Sequence, residues 1–410
     1  RFITSAQYLT VGNPLLISID WLIDRGWLSL QKIVVPPGSN EFRRQCLLLA
    51  FEIFEQKASA EWKQRLAEFC QQQQYWLKDF ALFMAIKHDQ HNKPWTHWPA
   101  ALRSRDKKTI RSVEKLLARD IARIEFEQFV FFTQWHEIRD YARQRGVLMF
   151  GDMPIFVAHD SADVWAYRKN FMLDKTGESV FVSGVPPDAF SDAGQRWGNP
   201  LYDWAAMQAD GFAWWRARLD AHFEWFDLVR IDHFRGLAAA WVIPAHEPTA
   251  IHGEWVEAPG AALLQAISQE SGAAGMGELP LVAEDLGIIT PEVTALRHQF
   301  GLPGMAVLQF AFDHHADNPH KPENVHPDTV YYTGTHDNDT TLGWWRALPD
   351  EARQEVMRKL GVSDPDAGWR ERPRGLGVPA TADHHEAAAS AGIVVRAVRP
   401  HQLRSACRAP

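Results

Sequence analysis

An apolar run that ends in acidic residues beside a glycine occurs three times in the chain, and this limits the fold more than any other feature. Phe226-Asp227-Leu228-Val229-Arg230-Ile231-Asp232-His233-Phe234-Arg235-Gly236 reads as a short buried strand that stops on a carboxylate. Leu279-Pro280-Leu281-Val282-Ala283-Glu284-Asp285-Leu286-Gly287 repeats the plan, and Val330-Tyr331-Tyr332-Thr333-Gly334-Thr335-His336-Asp337 follows it again. A strand of a parallel barrel delivers its last side chain to the face where chemistry is done. Side chains alternate with period two, so Arg230 and Asp232 share one face. There the guanidinium holds the carboxylate ionised and oriented, which suits a nucleophile. Taken alone, a purely structural Arg–Asp pair reads equally well. Three strands that each end in a carboxylate favour convergence on one pocket over three unrelated surface acids.

The rest of the chain fits a helical part followed by alternating elements. Residues 41–92 are rich in Gln, Glu, Lys, Ala and Leu without strand alternation and read as helices, and 93–107 reads as a loop. Val113, Leu117, Ile121, Ile124, Phe131, Trp135 and Ile138 recur at three-to-four spacing, which predicts one long amphipathic helix closed at Gly146. Gln128 is the single polar interruption of that stripe, and Phe129 beside it offers partial cover. The stripe itself reads as core rather than as binding surface. Beyond it, strands are predicted over 147–157, 305–312 and 330–333, and helices over 209–225, after Thr290-Pro291 and over 351–360 behind an Asp350 cap. The segment 183–204 reads as a long irregular loop, and a loop that long inside a compact domain is usually functional. This alternation, with acids at strand ends, predicts an α/β fold: a (β/α)8 TIM-type barrel, incomplete, with a helical insertion subdomain.

Composition removes some partners. A net charge of -8 argues against nucleic acid and against anionic membranes. No apolar run reaches membrane-spanning length and no signal peptide opens the sequence. Cys46, Cys70 and Cys407 form an odd, sparse set without a CxxC, which predicts free thiols and a reducing, cytoplasmic location. The 18 tryptophans stand out, but most must be core, and their number supports sugar stacking only weakly.

Acids on different strands point to glycosidic chemistry, because that bond needs one carboxyl to attack and another to protonate the leaving oxygen. Asp232, clamped by Arg230, suits the anionic nucleophile. Glu284, on an apolar strand beside Asp285, suits the acid whose pKa must be raised. Asp337 beside His336 suits a group that holds sugar hydroxyls and stabilises positive charge. Metal binding is the competing reading of a His/Asp cluster, but His336, Asp337 and Asp339 lack metal-site spacing. His314-His315 and His384-His385 are adjacent pairs that read as solvated loop histidines. No metal is expected. There is no P-loop, no GxGxxG and no GxSxG elbow.

With these residues in view, the chain resembles the amylomaltases, the 4-α-glucanotransferase (disproportionating enzyme) family related to α-amylases. The matching strings are Gly12-Asn13-Pro14-Leu15, Gly151-Asp152-Met153-Pro154-Ile155, Gly184 to Asp188, Gly194 to Tyr202, Arg230 to Gly236, Ala283 to Gly287, and Thr333 to Thr340. The resemblance implies Asp232 as nucleophile, Glu284 as acid/base and Asp337 as transition-state stabiliser. It implies sugar contacts from Arg230, Gln195, Trp197 and His336, and from Phe310 at a site for a second glucan segment. It implies malto-oligosaccharides and α-1,4-glucans as donor and acceptor, and no cofactor.

Two departures from the family shape the expected domains. The family's first two strands and its Ser-Pro-Tyr loop precede the Gly-Asn-Pro-Leu string, whereas Phe2-Ile3-Thr4 stands where that loop is expected. Past Gly361 the composition shifts to Ala, Arg, Pro and His, with only Ile393-Val394-Val395 strand-like, as a shifted reading frame would produce. The expected division is a barrel remnant over 1–30, a helical insertion over 31–145, a catalytic barrel part over 146–361 and a disordered tail over 362–410. With strands one, two and eight missing, low solubility and weak activity are expected. The parent function is retaining transfer of α-1,4-glucan segments through a glycosyl–Asp232 intermediate. An α-glucan hydrolase and an inactive glucan-binding remnant are the alternatives.

Overall fold

A computed structural model describes residues 11–360 except 34, 189–190, 271–278 and 288. The predicted tail over 362–410 lies outside the described residues, as do Phe2-Ile3-Thr4 and Cys407. Two compact units result: the chain up to Asp227 with Ala239–Ala266, and Leu228–Ala238 with Ile267 onward.

The first unit opens with helices. Ser18, Ser39 and Ser59 each accept a backbone N–H with their hydroxyl oxygen and so start α1 (Ile19–Asp24), α2 (Asn40–Lys57) and α3 (Ala60–Gln72). α4 (Gln74–Asp89) follows. The predicted loop over 93–107 is partly helical, because Pro94 and Pro99 each start a turn: a 3-10 turn Trp95–His97 and α5 (Ala100–Arg103). Its Trp95 and Trp98 are buried.

The predicted long helix is two helices, α6 (Lys107–Leu116) and α7 (Ala118–Arg143), broken at Leu117 (φ -98°, ψ 17°). No Gly or Pro marks the break, and the three-to-four spacing runs through it unchanged. The stripe is core at Ile124, Phe131 and Trp135, but Ile138 is 54% exposed, and Arg139 takes the buried position beside it. Gln128 is no gap in the stripe. It is buried, its Oε1 accepting from Gly12 N at 3.0 Å and its Nε2 donating to Gly12 O at 2.9 Å. Gln134 grips Ser18 N and O in the same way. A Cβ on Gly12 would sit 1.9 Å from Phe131 Cδ1, so this approach requires glycine.

β1 (Phe150–Pro154) is shorter than the apolar run 147–157, whose Val147 is exposed. α8 (Ala162–Ala166), β2 (Phe181–Val185) and β3 (Gln195–Pro200) come next. The expected helix over 209–225 is α10 (Ala213–Trp225), separated from α9 (Trp204–Ala209) by Gly211 at φ 68°. β4 (Leu228–Asp232) belongs to the second unit, whereas β5 (Ala239–Pro244) and β6 (Glu254–Glu257) return to the first. An antiparallel sheet of order β3-β2-β5-β6 results. The segment 183–204 is therefore not loop throughout: 183–185 belong to β2 and 195–200 to β3. Its glycines hid the pattern: a Cβ on Gly184 would meet Gln195 O at 2.2 Å across the strand pair.

The second unit is parallel. β4 pairs with β7 (Leu281–Ala283), which follows α11 (Gly260–Glu270). α12 (Pro291–Gln299), with Thr290 at its N-cap position making no side-chain cap bond and Pro291 first, leads to β8 (Gly304–Val307), which pairs with β9 (Thr329–Tyr332). Ala283 N donates to Pro303 O, tying β7 to the start of β8. Every residue of β7 and β8 is buried, as parallel strands covered on both faces require. β8 stops at Val307 rather than running to 312. Leu308–Phe310 turns as a 3-10 helix, with buried Gln309 donating to Asp339 O at 3.0 Å. α13 (Thr341–Ala347) and α14 (Asp350–Leu360) close the described chain, Asp350 lying inside the first turn and bonding Arg353.

Candidate active site

β4 and β7 set the geometry. Their register pairs Arg230 with Val282 and Ile231 with Ala283. The ladder runs on past the strand ends, with Glu284 N donating to Ile231 O at 3.1 Å and Phe234 N to Glu284 O at 3.2 Å. Asp232 and Glu284 are thus level on neighbouring parallel strands, which lie about 4.8 Å apart. Alternation puts Arg230 on the face of Asp232, and its Nη2 lies 2.8 Å from Asp232 Oδ1. Arg230 is buried while the Asp232 side chain stays 43% exposed. The cation is fixed from behind and the carboxylate is open to a ligand.

Glu284 sits in a different environment. Its Oε2 accepts from His233 N at 2.7 Å and its Oε1 from Leu286 N at 2.9 Å. Burial pushes the carboxyl up to about 7, with Arg230 opposing the rise and Asp232 adding to it. His233 holds φ 52°, unusual for a residue with a Cβ, and burial pushes its imidazole down to about 4. Two carboxyls on adjacent strands therefore differ: one exposed and ion-paired, one buried and protonated into the neutral range. Asp285, the second acid of its pair, is tied into the fold. It accepts from Met305 N at 2.7 Å and pairs with Arg297 Nε at 3.2 Å, and burial raises its pKa.

The other predicted residues fall in two places. Within the second unit, His336 Nε2 lies 3.4 Å from Asp337 Oδ1 on the turn after β9, and Asp337 is 70% exposed. That turn is built by Thr335 N donating to Asn338 Oδ1 and Asp337 N donating to Thr335 Oγ1. Phe310, exposed, meets the His320 ring edge-on at 5.4 Å. Within the first unit, Gln195 and Trp197 share one face of β3, and Trp197 Nε1 donates to Gln195 Oε1 at 3.2 Å. The structure draws Arg230, Asp232 and Glu284 into one cluster, pairs His336 with Asp337, and pairs Gln195 with Trp197. Among the described residues no three His, Cys, Asp or Glu side chains are grouped to hold a metal ion. Sequence reading missed the backbone donors His233 and Leu286, because a positive φ at a histidine leaves no mark in the sequence.

The sequence matches the 4-alpha-glucanotransferase family over residues 5–396. The chain belongs to that family. A 4-alpha-glucanotransferase of Thermus thermophilus is 49% identical over 357 residues, 85% of this chain and 70% of that protein. One from Synechocystis is 46% identical over 361 residues, covering 85% and 71%. The solved structure of the amylomaltase from Streptococcus agalactiae, in complex with acarbose, aligns with a TM-score of 0.81 at 33% identity, covering 88% of this chain and 75% of that one. The fold class is the predicted α/β type of that family.

Proposed function

We propose that this 4-α-glucanotransferase family member moves α-1,4-glucan segments between malto-oligosaccharides by two displacements at one anomeric carbon. Asp232 attacks that carbon while Glu284 gives its proton to the leaving glycosidic oxygen, producing a glycosyl–Asp232 ester. Glu284, now a carboxylate, takes the proton of an acceptor hydroxyl, which attacks the same carbon and frees Asp232. The overall configuration is retained. Asp337 and His336 bind sugar hydroxyls, and Asp337 offsets the positive charge of the oxocarbenium-like transition state. Arg230, Gln195 and Trp197 contact sugar, and Phe310 serves a second glucan segment. Residues 146–361 carry the catalysis and 31–145 the helical insertion, in the cytoplasm. No helix among the described residues is long and apolar enough to cross a membrane.

One observation carries the reading: an ion-paired Asp232 and a buried Glu284 raised to about 7 lie on adjacent parallel strands. Carboxyls on such strands match the roughly 5–5.5 Å separation of a retaining pair. Incubation with maltotriose tests it. Transfer yields glucose plus oligomers longer than maltotriose; glucose and maltose alone indicate a hydrolase, and unchanged maltotriose an inert glucan-binding chain.

Glu284 also predicts a pH dependence. Its proton must be present for the first displacement, so kcat/KM should fall as pH rises through about 7. The folded pKa lies above the ordinary glutamate value of 4.5, so the native state binds the proton more tightly than the unfolded chain. This group's contribution to stability therefore declines from about pH 4.5 to about 7. Glu284→Gln should remove both effects, and an alkaline limb surviving in that variant would reassign it.

Trp197→Ala should raise KM for maltotriose by about 2- to 13-fold, taking a ring–sugar stack to be worth as much as an aromatic pair, ~0.5–1.5 kcal/mol. The ring is 39% exposed, so the melting temperature should stay nearly unchanged. A large fall in melting temperature with unaltered kinetics would make the residue a structural anchor.

A further inference from the structure

Nothing in that reaction scheme uses Met305, yet its side chain touches the machinery. Arg230 Nε donates to Met305 Sδ at 3.3 Å while Nη2 of the same guanidinium holds Asp232 at 2.8 Å. A guanidinium is planar, so fixing Nε and Nη2 together fixes its plane. Methionine is normally adaptable, with three rotatable bonds. Here its backbone is pinned, because Met305 N donates to Asp285 Oδ1 at 2.7 Å and Asp285 Oδ2 pairs with Arg297 Nε at 3.2 Å. Gly304 lets that carboxylate come close, since a Cβ there would lie 2.5 Å from Asp285 Oδ2. The side chain is also buried, at 6% exposure.

From these contacts we propose that Met305 is a positioning residue, its thioether sulfur fixing the plane of Arg230 so that the guanidinium faces Asp232 and bears on Glu284. A leucine would fill the same volume but would offer Arg230 Nε no acceptor. The guanidinium would then turn, and its charge would oppose the Glu284 proton less. Arg297 and Asp285 act one step further back, by holding the β8 backbone on which Met305 stands. The kinetic part of the proposal rests on the glucan-transfer reading; the structural part does not.

The test compares wild type with Met305→Leu and Met305→Gln. In Met305→Leu, kcat on maltotriose should fall about tenfold with KM within about twofold, the pattern of misplaced chemistry rather than weakened binding. The alkaline limb of the rate should move to higher pH. Met305→Gln, which restores an acceptor, should recover part of kcat. Titration of the Glu284 carboxyl followed by 13C NMR reads the same effect without turnover, so an inactive wild-type chain defeats the transfer reading and leaves this test standing. The expected result is a Glu284 midpoint above that of wild type in Met305→Leu. Simple loosening of the site would admit water and move that midpoint down. A midpoint that is lower or unchanged overturns the proposal.

Discussion

Replacing Asp232 with Asn is expected to abolish glucan transfer, lowering kcat by roughly 10^4- to 10^6-fold, while leaving the fold in place. The amide is nearly isosteric but cannot form the glycosyl ester of the proposed mechanism, in which Glu284 supplies only the acid half of the first displacement. Arg230 keeps an oxygen acceptor at the same position, and the Asp232 side chain is 43% exposed, so the stability change should be about 1 kcal/mol or less. Glucose and longer oligomers from maltotriose, followed chromatographically beside a melting curve, give both readouts. Transfer at more than about a hundredth of the wild-type rate, in protein free of other transferases, would move the nucleophile elsewhere.

Asp227→Ala should have the largest effect on stability, about 3–5 kcal/mol. The Asp227 side chain is 1% exposed and accepts from Met149 N at 2.7 Å, Arg143 Nε at 2.8 Å and Arg139 Nη2 at 3.3 Å. Removing it leaves the mostly buried Arg139 guanidinium facing a cavity without its counter-charge. Asp227→Asn keeps an acceptor oxygen for Met149 N and should lose less. Denaturant unfolding of the two variants checks the order, and a loss below about 1 kcal/mol in Asp227→Ala would mean water replaces the carboxylate.

The same stretch shows what a sequence discloses. Arg230 and Asp232 were legible because period two is a property of any strand, and a carboxylate after Val229-Arg230-Ile231 stands out. Asp227 carried a signal that was passed over: it shares the parity of Val229 and Ile231, both buried, and a lone acid in an apolar row implies buried partners. The raised pKa of Glu284 was legible because apolar neighbours predict desolvation. Its grip by His233 N and Leu286 N was not, since backbone donors depend on φ and not on residue type. Met305 reads from sequence as one more apolar strand residue. The antiparallel strands β2 and β3 were hidden because glycines at 184, 194 and 198 imitate loop punctuation, whereas close strand pairing needs the first two and a φ of 81° needs the third. The barrel class was legible from alternation, whereas the break at Leu117 had no residue to announce it.

Three side chains of α7 meet the N-terminal segment at a constant interval: Gln128 with Gly12, Gln134 with Ser18, and Glu137 with Trp21 Nε1, each 116 residues apart. A constant interval means that segment and helix run in the same direction, and it gives the contacts a timetable. At about 5–20 residues per second, a ribosome needs roughly 6–23 s to deliver each partner after its target. During that interval the backbone of Gly12 and Ser18 lacks the two glutamine side chains that hold it in the fold. The apolar residues beside them, Val11 and Ile17, are buried once α7 has arrived. Early chaperone occupancy should therefore centre on this segment and end when α7 clears the exit tunnel.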